Sequence, residues 1–276
     1  MKKNIILSVF LIILCGICVA DILPQRIISL GPSITKGLYL LEVQDKLIAN
    51  TIYCLSPAGA EKKEKIGTVI DINIEKIFNL KPDLVLATSL TNPKAKEKLK
   101  RLEIKVITLS MPENFSDLCK QFLELGRLVG KEKESEKIVK NAEDNVKFIK
   151  KKVEILGKPK VLVQVGAKPL FVATGSCFIN DYIEIAGGIN IAKDAKEGIY
   201  SREQVLSANP DVIIITAMGI AGEEEKKVWE KYKTLSATEN NRIYIISTDE
   251  LTSPTPVSFV KTLEEIVNIL HPGVIK

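Results

Sequence analysis

Histidine is almost missing from this 276-residue chain; the single imidazole is His271, beside the C-terminus. That scarcity argues against a histidine-based catalytic triad and against a metal centre built from several imidazoles, because borderline metals such as zinc draw on imidazole or thiolate ligands. No G-x-S-x-G elbow, G-x-G-x-x-G turn, Walker loop or H-E-x-x-H helix occurs. No catalytic residue, resident metal or cofactor is therefore expected, and an enzyme would need unfamiliar chemistry. Charge of one sign is also not massed: the formal charge is +5, and lysines are interleaved with glutamates, so no nucleic-acid surface is indicated. After the first twenty residues no stretch is long and apolar enough to cross a bilayer.

Cysteine is scarce as well. Beyond Cys15 and Cys18 there remain Cys54, Cys119 and Cys177, an odd number that allows at most one intrachain bridge. Cys119 falls among Leu118, Phe122 and Leu125 and reads as a buried thiol. Cys54 and Cys177 lie in loops of opposite halves, where a bridge, a soft ligand contact or two unpaired thiols are all open.

The N-terminus has the form of a secretory signal. Met1-Lys2-Lys3-Asn4 is positive, Ile5 to Leu14 is a short apolar run, and Cys18-Val19-Ala20 ends in small residues before Asp21. Cleavage after Ala20 would remove Lys2 and Lys3 and leave enough chain for two modest domains. Bulky Leu14 and Ile17 precede the two early cysteines, which favours a free extracytoplasmic or periplasmic protein over a lipid-anchored one.

One motif is present twice. Glu75-Lys-Ile-Phe-Asn-Leu-Lys-Pro82-Asp83-Leu-Val-Leu-Ala-Thr88 is echoed by Glu203-Gln-Val-Leu-Ser-Ala-Asn-Pro210-Asp211-Val-Ile-Ile-Ile-Thr216. Each copy reads as a short helix ended by proline, followed by a buried parallel strand. Further strands are expected at 26–30, 46–49 and 105–109, then at 160–165 and 242–246, with helices at 33–41 and 94–102. Between the halves, residues 116–129 have helical period, Gly130 suits a left-handed cap, and residues 132–156 form a longer helix of about 37 Å. Its apolar face is expected to be Ile138, Ala142, Val146, Ile149 and Val153.

The fold class is thus α/β: two doubly wound parallel-sheet lobes joined by one long helix, with a ligand cleft between them. The segments are 1–20 (signal), 21–130 (N-terminal lobe), 131–157 (interdomain helix) and 158–276 (C-terminal lobe). A helical strut limits closure to modest lobe movement.

Arg26-Ile-Ile-Ser-Leu-Gly-Pro-Ser33, Lys81-Pro-Asp-Leu-Val-Leu86, Ala186-Gly-Gly-Ile-Asn190, Ser201-Arg-Glu-Gln-Val-Leu206 and Asn209-Pro-Asp-Val-Ile213 together resemble the cobalamin and ferric-siderophore binding proteins of ABC importers. The resemblance spans nearly all of 24–272. It implies a monomeric receptor that captures a chelated-metal nutrient, most closely a corrinoid, or else a ferric siderophore or haem, and delivers it to a membrane permease. It also implies that Glu75 and Glu203, one on each rim, dock against permease arginines, although both also open helices, where negative charge offsets the dipole.

Tyr53 and Phe171 match family positions whose rings pack on the macrocycle, and Asp249 matches an acidic polar contact. Val69 stands where cobalamin binders have tryptophan, and Tyr200 only roughly replaces a second aromatic. Loops after strand ends, where open α/β sheets place ligands, add Pro32, Ser33, Thr88, Ser89, Gly175, Ser176, Met218 and Ser253. Ser33 reads equally as a helix cap. Arg202 is expected on the rim beside Glu203.

Overall fold

The computed structural model describes residues 23–216 and 222–275. The signal segment expected at 1–20 and the cleft candidate Met218 lie outside those residues.

The N-terminal lobe runs β1 (Ile27–Ser29), α1 (Pro32–Leu40), β2 (Leu47–Asn50), β3 (Glu64–Lys65), α2 (Ile74–Asn79), β4 (Leu84–Thr88), α3 (Pro93–Arg101) and β5 (Val106–Leu109). Its five strands are all parallel in the order β3-β2-β1-β4-β5. The order reverses direction between β1 and β4, so the loops after these strands diverge and leave a crevice at their carboxyl ends.

Two helices follow, α4 (Phe115–Val129) and α5 (Glu132–Val153). Gly130 sits between them with φ of 72°, a left-handed cap that costs other residues more than glycine. Helix α5 ends three residues before the expected Leu156. Its buried face is Ser135, Val139, Ala142, Val146, Ile149 and Val153, so Val139 replaces the expected Ile138, which is only partly buried. A step of four from Ser135 carries the stripe through Val139 where the helix abuts the α4–α5 turn.

The C-terminal lobe runs β6 (Lys160–Gly166), β7 (Phe171–Val172), α6 (Ile179–Ile185), β8 (Ile189–Asn190), α7 (Arg202–Ala208), β9 (Val212–Thr216), α8 (Gly222–Trp229), α9 (Ser236–Glu239), β10 (Ile243–Ile246), α10 (Thr248–Thr252) and α11 (Pro256–Leu270). Strands β10, β9, β6 and β8 are parallel, and β7 is antiparallel to β6. The second lobe therefore does not repeat the first strand for strand.

Burial on both sheet faces explains the unbroken aliphatic strands. In β4, Leu84 and Leu86 join one core while Val85 and Ala87 join another; in β9, Val212 and Ile214 divide from Ile213 and Ile215 in the same way. Alternate side chains point to opposite faces of a strand. Each fully buried aliphatic side chain contributes roughly 1.5–3 kcal/mol. The largest cluster spans both lobes through α4, α5 and α11, so the lobes share one core besides the one each has to itself.

The duplicated motif is a backbone clip. The residue before each proline, Lys81 or Asn209, adopts φ of 46°, so a left-handed turn stops the helix before the proline is reached. The aspartate then fixes the neighbouring strand. Asp83 accepts from the backbone N–H groups of Gln25 at 2.7 Å and Arg26 at 3.0 Å, and Asp211 from that of Lys160 at 2.8 Å. The cations finish the clip: Arg26 donates to the Leu80 and Lys81 carbonyls, and Lys160 Nζ to that of Ala208.

Candidate ligand cleft

A cavity of about 240 Å³ lies between the lobes at the crevice beside β1 and β4. Ser33 and Thr88 line it from the N-terminal lobe with Met111, Pro112 and Gln121, and Cys177, Phe178, Leu251, Thr252 and Pro254 line it from the other side. Among the described residues, only Ser33 and Thr88 of the ligand candidates reach this wall. Ser33 is not the cap of α1; that position is Gly31, with no side-chain cap bond. Helix α1 is instead held by Gly37, where an added Cβ would stand 2.6 Å from Leu125 Cδ2. The Thr88 hydroxyl is buried without a hydrogen-bond partner.

Below the cavity Phe115, Phe178, Tyr182 and Phe259 stack together, with Phe115–Phe259 centroids 4.6 Å apart and Tyr182–Phe259 centroids 4.3 Å apart. Offset and edge contacts of this kind add about 0.5–1.5 kcal/mol per pair. Asp181 accepts the Phe115 N–H at 2.7 Å across the lobes. Burial drives the Tyr182 hydroxyl pKa far upward, so it stays protonated.

Other candidates lie around the mouth or away from it. Tyr53, in the β2–β3 loop, is 56% exposed and is flanked in the chain by exposed Ile52 and Leu55. Phe171 is 39% exposed on β7 and bridges to exposed Ile199. Val69 is half-buried in the bend that returns from Gly67 to Ile72. Pro32 opens α1, and the Ser89 hydroxyl accepts the Met111 N–H at 3.2 Å. Gly175 packs on the Lys193 carbonyl, and Ser176 bonds to the Thr174 hydroxyl at 3.0 Å. Tyr200 packs on the outer core of its lobe and donates to the Ile191 carbonyl at 3.3 Å.

Asp249, in the first turn of α10, is tied to Lys36 of the opposite lobe, with Nζ 2.8 Å from Oδ2. Ser253 caps the end of α10, and its carbonyl also accepts from Lys36. Lys36 was not legible as a cleft residue, because it sits within the apolar helix pattern and its partners lie more than 200 positions away. Cys177 was read as a bridge, a soft ligand contact or an unpaired thiol, and Phe178, two positions after the candidate Ser176 and just before α6, was missed. Met111 and Pro112 follow β5, so the strand-end rule could have found them.

Cys54, Cys119 and Cys177 are free thiols. Cys54 is buried and receives the Thr35 hydroxyl at 3.2 Å, whereas Cys177 is partly exposed on the cavity wall. Burial pushes the Cys119 thiol up to about 12, which keeps it inert.

Glu75 and Glu203 are both exposed in the first turns of α2 and α7. Ser201 caps α7 with a complete capping box through Gln204, as its spacing implied. Hydrogen bonds from the Glu203 backbone and from Ser201 hold the Glu203 carboxyl below the usual range. Arg202 is not a rim residue. It turns inward over the Trp229 ring at 4.6 Å and pairs with buried Glu225 at 2.9 Å. Gln164 Nε2 donates to the same carboxylate at 2.9 Å, and its Oε1 accepts from Trp229 Nε1. Among the described residues no three histidine, cysteine or acidic side chains gather as a metal site.

The family model described as periplasmic binding protein matches residues 27–250. An uncharacterized ABC transporter substrate-binding lipoprotein, YvrC of Bacillus subtilis, is 29% identical over 261 residues, covering 92% of this chain and 82% of that one. The crystal structure of the periplasmic vitamin B12 binding protein BtuF of Vibrio cholerae superposes with a TM-score of 0.76 at 26% identity, over 90% of this chain and 96% of that one. A possible iron-binding periplasmic solute-binding protein from Staphylococcus epidermidis gives 0.79 at 26% identity, over 90% and 99%.

Proposed function

This chain belongs to the periplasmic binding protein family, as a substrate-binding component of the ABC-importer type, and we propose that its cargo is a corrinoid. The observation that carries this reading is the pair of exposed aromatic rings, Tyr53 on one lobe, flanked in the chain by exposed Ile52 and Leu55, and Phe171 on the other, bridged to exposed Ile199. Apolar patches left open on a monomer mark interaction sites. A large flat macrocycle is the ligand that two such rings can cover from opposite sides. In this reading Asp249 supplies a polar contact, and Val69, Tyr200, Pro32, Ser33, Thr88, Ser89, Gly175, Ser176, Met218 and Ser253 are the further ligand contacts. The receptor needs reversible capture alone, so no side chain is asked to act as acid, base or nucleophile.

In this reading lobes 21–130 and 158–276 flank the helix at 131–157 as the working units. Glu75 and Glu203 meet arginines of the permease, where charged rim groups orient and accelerate encounter. The chain works outside the cytoplasmic membrane, exported by its first twenty residues. A second reading, haem, is favoured by Met111 and Cys177, whose soft sulfur donors line the cavity and suit a metal with an open axial position.

Titration calorimetry of the mature protein decides the cargo. Cobalamin or cobinamide is expected to bind one to one. Tight binding of haemin or a ferric siderophore with no corrinoid heat overturns the corrinoid assignment.

A further inference from the structure

Lys36 and Ser56 of the N-terminal lobe reach Asp249 and Ser253 of the other. Besides its ion pair, Lys36 Nζ donates to the main-chain carbonyls of Asp249 at 3.2 Å and Ser253 at 3.0 Å. An ammonium has three donors, and these three acceptors use them all. The Ser56 hydroxyl donates to the same Asp249 oxygen at 3.1 Å. The Lys36 side chain is only 11% exposed, against 46% for Asp249, so the cation has exchanged water for these partners.

This cluster adjoins the cavity. Ser33 lies one helical turn before Lys36, and Leu251, Thr252 and Pro254 flank the Ser253 carbonyl. At about 240 Å³ the space is below the roughly 300–1,000 Å³ of pockets that enclose a small ligand. With α1 and α10 held together, the space is too small to enclose a macrocycle.

We propose that the Lys36–Asp249 pair is a latch that sets the affinity and the size selection of the cleft. It holds the ligand-free protein closed, ligand entry parts the two side chains, and the released Asp249 carboxylate turns to the ligand. This rests on the chelate-binding reading above and explains how one carboxylate serves both states. The shared core through α4, α5 and α11 stays intact, so the lobes pivot about it and the molecule expands slightly as the mouth parts. Because only latch-open molecules bind, the apparent dissociation constant is the intrinsic one divided by the open fraction. With about a tenth of molecules open, loss of the latch tightens binding about tenfold.

The substitution Lys36→Met keeps an unbranched stem in the helix and removes the donors. Calorimetry with cobinamide and with haemin is expected to give about tenfold tighter binding of whichever chelate the wild type takes up. Small-angle scattering of the ligand-free variant is expected to show a larger radius of gyration. Ser56→Ala removes one partner of Asp249 while leaving Lys36 in place, and is expected to shift both readouts less, in the same direction; it also decides the matter if Lys36→Met does not fold. Unchanged or weaker binding with an unchanged radius overturns the latch. If no chelate binds the wild type, the cargo reading falls, and the radius of gyration alone decides the latch: expansion supports it and no expansion overturns it.

Discussion

Helix α2 of the N-terminal lobe and helix α7 of the C-terminal lobe present Glu75 and Glu203 at equivalent places, yet they are anchored in different ways. Helix α2 is capped by Asn73, which accepts the Lys76 N–H at 2.9 Å, and its side chains make a surface ion pair between Lys76 and Glu64. Those two side chains are 39% and 48% exposed. Helix α7 carries a two-way capping box and is roped to the lobe interior through Arg202, Glu225, Gln164 and Trp229. Two similar surfaces thus rest on different supports, one solvated and one desolvated. The difference shows why equivalent positions in a duplicated motif need not respond alike to mutation.

The largest expected effect is at the desolvated support. Glu225→Ala leaves Arg202 and Gln164 without their shared partner and is expected to cost about 3 kcal/mol, the scale for breaking a buried pair. Glu64→Ala, its counterpart on the other lobe, is expected to cost clearly less, because its ion pair is open to solvent and screened. Denaturant unfolding of both variants checks this, and equal losses would erase the distinction between the supports. Next come the caps. Ser201→Ala and Asn73→Ala are each expected to cost about 1 kcal/mol, with Ser201 the larger because its box joins two bonds, readable as a difference in melting temperature.

A smaller effect sharpens the comparison through pH. Burial opposes ionisation of Glu225, but hydrogen bonds from Gln164 and Arg202 outweigh it and hold its pKa below the ordinary carboxylate value. A depressed folded pKa gives stability that is present above the unfolded pKa and lost as pH falls through the folded one. Acid titration of melting temperature should therefore show a limb that Glu225→Gln flattens. A limb of the same slope in the variant would assign the acid sensitivity to other carboxylates.

Much of the fold could be read from the chain, because its signals are local. The β-branched runs at β4 and β9, the glycine after α4 and the Ser201–Gln204 spacing each encode their element within a few residues. The face of α5 was misplaced by one position near its start, since Ile138 and Val139 both fit a helical stripe and only packing against α4 selects between them. The split of α2 and α7 into different supports was hidden. Arg202 pairs with a residue 23 positions on and packs over Trp229, and nothing in the local pattern shows that its side chain turns inward. The cleft was half legible: strand-end loops pointed to Ser33 and Thr88, while the wall from Cys177, Phe178 and Leu251 depends on how the lobes meet.

The most direct measurement of delivery joins both lobes in one variant. Ligand-loaded wild type and the double substitution Glu75→Ala/Glu203→Ala are added to the permease in proteoliposomes, and ATP hydrolysis is followed beside calorimetry of the same preparations. The account predicts that stimulation is lost while ligand affinity stays intact, because exposed helix-end charges contribute little to stability and neither glutamate lies on the cavity wall. Stimulation equal to wild type, with a lowered melting temperature, would contradict it and make the two glutamates helix stabilisers alone.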